Sequence, residues 1–357
     1  MSVLGARAAA VRETIAELSD QPPTPQDLVE EVAERVRKVV PYDVGAWMTT
    51  DPATLLPTAI AAVNSSPAQH VAYSRAELIE APDDFNSYQE MMRLGQAAAA
   101  LSLATGGDLE QSHRYRQVHV PFGQGDELRM VARDAGSAWA IACVSRADDV
   151  PNFTAEEVRY VASIAEHVGA GIRKALTRRP SDEPTVRSPG MLVLSQTLDV
   201  EASTGEADRW LGKLTPTFPG TLPGPITVVA MQALANAERQ APVRPARLRM
   251  QVPGGWLLIH ADVLKDPSGG ADRVAVVLEP ADRAELVPLL LALHGLSGRE
   301  REVAELLVAG LGTDEIAARL HISRHTVRDH VKSIFAKVGV TSRPELTAVL
   351  AQEPLAA

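Results

Sequence analysis

The sequence is poor in cysteine and lacks long apolar runs. Among its 357 residues the only cysteine is Cys143, which excludes an internal disulfide and any metal site built from several cysteines. No run approaches the roughly 18 apolar residues that span a bilayer. The N-terminus has neither the unbroken apolar core nor the small-residue cleavage site of a signal peptide. We therefore expect a protein of the cytoplasm with no membrane partner.

Positive charge is also scarce, and it is unevenly distributed. The net charge of −10 would repel nucleic acid if it were spread evenly. Eight of the 35 Lys and Arg residues and eight of the 45 Asp and Glu residues lie from Leu290 onward, so the whole negative excess precedes Leu290. Between Arg319 and Arg343 six positive residues stand against one negative residue, Asp329. An acidic chain thus carries a local basic segment.

Ahead of this segment, helix and strand patterns predict two α+β domains. The first has apolar residues at helical spacing in 28–39, strand formers in 43–50 and two apolar runs around a turn at 133–136. Thr154 and Glu157 form the capping box of its closing helix. The second domain has a strand–turn–strand opening, a short helix and three strand-like runs. The predicted divisions are an N-terminal helix at 1–20, the first domain at 21–177, a linker at 178–190, the second domain at 191–281, a connecting helix at 282–294 and an all-α domain at 295–357.

The last sixty or so residues contain helix start and stop signals for four short helices. The first helix begins at a capping box of Ser297 with Glu300 and ends at Gly310. The remaining signals are N-caps at Thr313 and Ser323, a stop at Gly339 and a capping box of Ser342 with Glu345. A three-residue turn joins the middle two helices, which predicts a helix-turn-helix.

The third of these helices, SRHTVRDHVKSIFAKV, has two distinct sides when its residues are placed about 100° apart. The side predicted to face the core carries Val327, Val331, Ile334 and Val338. The opposite side carries His325, Arg328, Asp329, Lys332 and Ala336. A solvated charged face is one interpretation, but the basic segment and the helix-turn-helix spacing together favour a helix that binds nucleic acid.

The segments LSGREREVAELLVAG, TDEIAARLHIS and HTVRDHVKSIFAKVGVTSRPEL resemble the DNA-binding module of the LuxR family of bacterial transcription regulators. The resemblance implies that the helix beginning at Ser323 enters the major groove and that the last helix makes a dimer contact. The positions that match base-facing ones in the family are Arg328, Asp329 and Lys332. Those that match positions near phosphates are Arg324, His325, Thr326 and Lys337. The family often has an apolar residue where Asp329 stands; here Asp329 can accept a hydrogen bond from cytosine N4 or repel a wrong register.

The two α+β domains have their own resemblances. Residues 21–177 resemble a GAF domain in the opening helix, the AWMTT and AWAIACV strands and the closing helix FTAEEVRYVASIAEHV. Residues 191–281 resemble a degenerate PAS domain in the segment MLVLSQTLDVEASTGEADRWLG. Both folds commonly bind small ligands or dimerise. A ligand pocket in the GAF-like domain would be lined by Trp47, Met48, Tyr88, Met91, Met130 and Trp139, although the same residues can simply fill the core.

Enzymatic chemistry finds no support in the sequence. His113 and His119 have no carboxylate or cysteine at metal-ligand spacing, so we predict no metal site and no cofactor. No acid, base and nucleophile constellation is visible, so we predict no catalytic residues. Cys143 lies in an apolar strand, where an inert buried thiol is favoured over a redox sensor.

These features predict a sequence-specific DNA-binding regulator of transcription that is controlled through its N-terminal domains. We expect a homodimer on an inverted repeat of double-stranded DNA, because one small module makes few base contacts. We also expect RNA polymerase as a further partner. Two alternatives stay open: a ligand-binding sensor that acts through protein–protein contacts, and an enzyme on the GAF-like fold. The ligand of the GAF-like domain, the operator and the sign of regulation are not encoded in any recognisable motif.

Overall fold

A computed structural model describes residues 5–178, 186–238, 244–266 and 272–351. The linker prediction at 178–190 falls largely outside these residues, as do the ends of the N-terminal and C-terminal divisions. Within the described ranges no helix combines the length and the apolarity required to cross a membrane.

The first sheet is antiparallel, and its described strands follow the order β2-β1-β5-β4-β3. Alternation along β1 directs Trp47 toward one face and Met48 toward the other, where they join different apolar clusters. The predicted strand in 43–50, the hairpin and the capping box of Thr154 with Glu157 are confirmed. The elements are α1 (Gly5–Asp20), α2 (Pro25–Arg37), β1 (Val44–Thr50), β2 (Pro57–Val63), α3 (Pro67–Arg75), α4 (Tyr88–Leu94), β3 (Ala98–Ala100), α5 (Leu101–Ala104), β4 (Gln124–Asp134), β5 (Ser137–Ala147) and α6 (Ala155–Leu176).

The second sheet repeats this strand order with its own strands, β7-β6-β10-β9-β8. Its predicted strands and short helix are confirmed, whereas the helix α8 has no counterpart in the sequence prediction. Helix α8 is apolar on all sides, so it lacks the one-sided pattern that marks a surface helix. The PAS-like assignment and the exact domain boundaries stay predictions. The elements are β6 (Gly190–Leu194), β7 (Val200–Ser203), α7 (Gly205–Leu211), α8 (Gly224–Glu238), β8 (Arg247–Val252), β9 (Gly255–Leu264) and β10 (Arg273–Pro280).

The C-terminal part is helical throughout its described elements, as predicted. The elements are α9 (Arg283–Leu293), α10 (Gly298–Val308), α11 (Thr313–Leu320), α12 (Arg324–Val338) and α13 (Arg343–Ala351). Two predicted caps are corrected. Gly312, not Thr313, is the N-cap of α11, because its backbone N–H donates to Glu315 Oε2 at 2.7 Å and Thr313 is already helical. The Glu345 carboxylate accepts from the Thr341 backbone N–H rather than completing a box with Ser342.

Helix α9 joins the three parts of the molecule. Its leucines belong to one buried apolar cluster that also contains residues of α6 and α10, so the core of the first domain continues into the helix-turn-helix. Arg173 of α6 donates to the Leu293 carbonyl at 2.7 Å, and Arg301 of α10 donates to Ser137 Oγ of β5. The C-terminal helices are therefore seated against the first domain and not tethered by a free linker.

An ion pair buried between the two α+β domains also holds α9 in place. Arg249 on β8 donates to both carboxylate oxygens of Asp51 at 2.9 Å, and both side chains are at most 6% exposed. A further guanidinium N–H donates to the Glu285 carbonyl of α9 at 2.7 Å. One side chain thus connects the loop after β1, the second sheet and the helix that carries the helix-turn-helix.

Candidate nucleic-acid interface and sensory cavity

Local signals define both ends of α12. His321 adopts a left-handed conformation with φ of 53°, which turns the chain sharply after α11. Ser323 Oγ then accepts from the Thr326 backbone N–H at 3.0 Å and caps α12. Gly339, with φ of 77°, ends the helix. The predicted turn and both predicted ends of this helix are confirmed.

The two sides of α12 lie as the helical wheel predicts. Val327 and Ile334 are fully buried, while Val331 and Val338 pack against the same core. The outer side is exposed to solvent and carries His325, Arg328, Asp329, Lys332 and Ala336. No other element of the described chain covers this side, so the helix presents it outward.

Of the residues predicted to contact DNA, some are engaged within the protein and some are not. Arg324 Nε lies 2.7 Å from Asp314 Oδ1 of α11, and His325 Nδ1 lies 2.8 Å from Asp329 Oδ2. Thr326 is used in the cap of α12, where its hydroxyl lies 2.8 Å from Ser323 Oγ. Among the described residues Arg328 and Lys332 have no hydrogen-bond or ion-pair partner, which leaves both cations available to a ligand.

Lys337 has a structural partner that the sequence did not suggest. Its Nζ lies 2.7 Å from Glu300 Oε2 of α10, and Ser333 Oγ donates to Glu300 Oε1 at 2.6 Å. Glu300 is buried and also completes the capping box with Ser297. Burial raises the pKa of Glu300, but the hydrogen bonds from Lys337, Ser333 and Ser297 outweigh it and lower the pKa to about 2. Glu300 therefore fastens α12 to α10.

A cavity of about 100 Å³ lies between the first sheet and the second domain. The floor is formed by β1 and β5, one side by α3 and the 54–57 loop, and the cover by Val228 and Gln232 of α8. Within the described residues three buried polar atoms that line it have no hydrogen-bond partner: His70 Nε2, Tyr88 Oη and Gln124 Nε2. Burial lowers the pKa of His70, which favours its neutral form. The cavity thus offers a mostly apolar wall with neutral polar groups, and its two charged lining residues, Glu77 and Arg244, are paired with Arg129 and Asp83.

The predicted pocket residues divide between the two faces of the sheet. Met48 and Tyr88 line the cavity, and Met91 is buried in the same cluster behind them. Trp47, Met130 and Trp139 do not line it: they lie on the opposite face, packed against α2 and α6. Alternation along β1, β4 and β5 explains this correction, because neighbouring residues of a strand point to opposite faces.

Below the cavity lies a buried cluster of charged side chains that the sequence analysis missed. Glu127 accepts from Arg114 at 2.7 Å and from Arg129 at 3.2 Å, and all three are at most 1% exposed. Arg129 also pairs with Glu77 at 2.6 Å and stacks on Tyr88. Burial raises the pKa of Glu127, but the two guanidinium groups outweigh it and hold the pKa far below its usual value. Glu127 and Arg129 alternate in β4, a pattern that resembles a solvent-facing side.

Two further reactive groups of this domain, Cys143 and His119, are buried. Cys143 borders the cavity, and burial raises the pKa of its thiol to about 11, so the thiolate is disfavoured at neutral pH. Burial lowers the pKa of His119 to about 4. Across the described ranges no group of three or more His, Cys, Asp and Glu side chains has a geometry that would hold a metal ion.

Comparison with known proteins identifies the C-terminal part. Residues 294–350 match the model described as bacterial regulatory proteins, luxR family. A putative HTH-type transcriptional regulator in the exeN 3' region of Aeromonas salmonicida is 51% identical over 51 residues, which are 14% of this chain and 26% of that protein. The spore germination protein GerE of Bacillus subtilis is 47% identical over 55 residues, which are 15% of this chain and 74% of GerE. The matched segment therefore covers about a quarter of the first relative and most of the second.

Solved structures align more weakly. A GAF domain from a phosphoenolpyruvate-protein phosphotransferase of Coxiella burnetii aligns with a TM-score of 0.33 and 13% identity over 49% of this chain and 97% of that domain. Escherichia coli SdiA aligns with a TM-score of 0.35 and 12% identity over 96% of each chain. Scores of this size do not establish a common fold. The GAF-like description of the first domain instead follows from its opening helix, two central strands and closing helix, which are all present.

The match to GerE and the geometry of the helix-turn-helix agree with each other. Residues 294–350, which match the family model, include α10, α11, α12 and nearly all of α13, and the identity to GerE is 47% over 74% of that protein. The caps, the left-handed turn at His321 and the apolar side of α12 provide the structural basis of that similarity. The chain belongs to the LuxR family of bacterial regulatory proteins.

Proposed function

We propose that this protein is a sequence-specific DNA-binding regulator of transcription in the cytoplasm. The observation that carries the proposal is the exposed outer side of α12, where Arg328 and Lys332 point away from the rest of the described chain. A bidentate contact of Arg328 to guanine and a contact of Lys332 to a neighbouring base or phosphate fit this side. Family membership and the local excess of positive charge support the same function.

A second copy of the chain and RNA polymerase belong to the proposal as partners. A module that offers one recognition helix reads few bases, so two copies on an inverted repeat supply the affinity of a regulator. Thr347 and Ala348 on the exposed side of α13 are small enough to let a second helix approach closely. The acidic remainder of the chain reduces nonspecific binding because it repels phosphates.

Control by a small neutral ligand is the part of the proposal that rests on the cavity. A mostly apolar lining with His70, Tyr88 and Gln124 suits a molecule with one or two hydrogen-bonding groups and no charge. The charged lining residues Glu77 and Arg244 already have ion-pair partners in the protein, so a charge on the ligand would be unpaired and costly there. A cavity of roughly 150 Å³ can hold benzene. A cavity of about 100 Å³ therefore takes a smaller molecule unless α8 moves outward.

The position of the cavity connects such a ligand to the helix-turn-helix. The 54–57 loop lines the cavity, and the Leu55 backbone N–H donates to the Asp51 carbonyl at 2.8 Å. Asp51 is bonded to Arg249, which is bonded to the Glu285 carbonyl of α9. Since the outer side of α12 is already exposed, the ligand would act by reorienting α9 and not by uncovering α12.

The decisive experiment is a binding selection on genomic fragments with the purified full chain, with and without a low-molecular-weight cell extract. Enrichment of fragments that share an inverted repeat supports the proposal, and a change in enrichment with extract supports control by a ligand. Binding to no fragment at any salt concentration would contradict it. That result would favour a sensor that acts through protein–protein contacts.

Arg328→Ala is expected to weaken binding to the selected site by about 1–3 kcal/mol and to relax the preference at one base position, because the bidentate contact is lost. Arg283→Ala is the matched control, since Arg283 is an exposed arginine at the start of α9, outside the helix-turn-helix. It should leave the base preference unchanged. Titration of labelled duplexes and a repeated selection measure both quantities. An unchanged preference in Arg328→Ala would remove the proposed role of this residue.

Gln124→Met is expected to weaken a cavity ligand about tenfold, because it removes the unpartnered amide donor at nearly constant volume. A neutral library of small molecules is screened by thermal unfolding, in which a ligand at 100 times its Kd stabilises the protein by about 2.7 kcal/mol. Gln117→Met, an exposed glutamine in the 115–119 helical segment, is the control and should respond like the wild type. Equal responses of all three proteins would place the ligand elsewhere.

A further inference from the structure

The outer side of α12 contains a paired histidine and aspartate. His325 Nδ1 and Asp329 Oδ2 are 2.8 Å apart, one helical turn from each other, with side chains 85% and 66% exposed. Neither residue contacts the core. The second carboxylate oxygen, Asp329 Oδ1, has no hydrogen-bond donor among the described residues. The pair therefore faces the same direction as the cations of α12 and is available to a bound molecule.

A carboxylate on this side needs a specific role if the helix lies against DNA. Phosphates repel it, so a bare aspartate at this position would lower affinity for every sequence. The bases offer one favourable contact for it, the exocyclic amino group of cytosine, which donates into the major groove. An aspartate gains from that contact only if its carboxylate is held in the plane of the base.

His325 supplies this restraint. An N–H at Nδ1 donates to Oδ2, which fixes the rotation of the Asp329 carboxylate and leaves Oδ1 as the acceptor. The histidine also offsets part of the repulsion between carboxylate and phosphates, because its N–H dipole lies beside Oδ2. Arg324, by contrast, is paired with Asp314 and lies away from this contact.

We propose that His325 is a positioning residue for base selection, which orients Asp329 so that its free carboxylate oxygen accepts from cytosine N4 in the major groove. The proposal rests on the proposed function, since it concerns how the same helix chooses among sequences. In this proposal His325 contacts the carboxylate of Asp329 and not a phosphate, and the two residues recognise one base together.

Binding selections on randomised half-sites test this assignment with the full-length chain and four variants. Asp329→Ala is expected to lose a cytosine preference of roughly tenfold at one position of each half-site. His325→Ala should lose most of that same preference and leave the other positions unchanged. The double variant should equal Asp329→Ala, because the histidine acts only through the aspartate.

His325→Gln is the conservative variant. Glutamine can donate to an aspartate four residues later on a helix, so this variant should retain the cytosine preference without any positive charge. The salt dependence of binding provides a second readout, because a phosphate contact changes its slope and a positioning contact does not. The i,i+4 pair contributes little to helix stability, so all four variants should remain folded.

The outcomes separate this proposal from the proposed function. Uniformly weaker binding of His325→Ala, with a smaller salt slope and an unchanged cytosine preference, would show a phosphate contact and overturn the positioning role. The positioning role would also be overturned if Asp329→Ala left every base preference of the wild type unchanged. The proposed function would still stand in that case, because the wild type would bind specific sequences. Failure of the wild type to select any sequence would overturn both.

Discussion

Replacing Arg249 by methionine is expected to lower the free energy of unfolding by about 3–5 kcal/mol, because it leaves the Asp51 carboxylate buried without its cation. Asp51 is fully buried, and Arg249 holds both of its oxygens at 2.9 Å. The backbone N–H groups of Ala53 and Arg249 still donate to the carboxylate in the variant, which places the loss toward the lower end of that range. The same substitution frees the Glu285 carbonyl on α9.

The stability of a double variant tests whether the loss comes from the unpaired buried charge. Asp51→Asn combined with Arg249→Met removes both charges, so it should be clearly more stable than Arg249→Met alone. Arg247→Met is the matched control, because Arg247 also approaches Glu285 but its side chain is 50% exposed, and its loss should cost about 1 kcal/mol or less. Urea unfolding midpoints at constant slope measure all three. A double variant that is less stable than Arg249→Met would contradict the account.

The helix-turn-helix could be predicted almost completely because its signals are local. Ser297, Ser323 and Gly339 each act on the few residues next to them, and the apolar side of α12 repeats within one helix. The two caps that differ from the prediction involve neighbouring residues. Gly312 replaces Thr313, since a glycine can take the N-cap conformation as readily as a threonine, and the Thr341 backbone N–H replaces that of Ser342 as the donor to Glu345. The role of Lys337 was missed because its partner Glu300 lies on another helix.

The cavity could not be predicted, because its parts come together only in the folded chain. Val228 and Gln232 on α8 cover a sheet formed more than 80 residues earlier, around Met48 and Cys143. Trp47 and Trp139 are large and apolar, as pocket residues often are, but they lie on the face of the sheet that α2 and α6 cover. Residue type alone does not show which face of a sheet the helices cover and which face borders a cavity. Nothing in the local sequence fixes that choice.

The buried charges could not be predicted for a different reason. Glu127 and Arg129 occupy alternate positions of β4, a pattern that ordinarily marks the exposed side of a strand. Here α3 and the 76–80 and 114–119 segments cover that side and supply Glu77 and Arg114, so every charge has a partner. A buried charge becomes tolerable through partners distant in sequence, which no periodicity encodes.

Glu300→Gln is expected to cost the helix-turn-helix about 3 kcal/mol at pH 7, since lowering the pKa of a carboxyl from its ordinary 4.5 to about 2 stabilises the folded state by that amount. The folded-state pKa lies below the unfolded one, so this stability is fully present above about pH 5 and is lost as the pH falls toward 2. The difference between wild type and variant should therefore shrink steadily between pH 5 and pH 3.

Glu315→Gln provides the comparison for this buried carboxylate. Glu315 closes the corresponding box at the start of α11, but it is exposed and has no lysine partner among the described contacts, so its replacement should cost about 0.5 kcal/mol or less. Lys337→Ala should destabilise as Glu300→Gln does but by less, because the lysine side chain is 40% exposed. Urea unfolding at several pH values, followed by circular dichroism, measures these differences. A penalty for Glu300→Gln that is the same at pH 3 and pH 7 would mean that the carboxylate acts only as a cap, and that Lys337 is as available to DNA as Arg328.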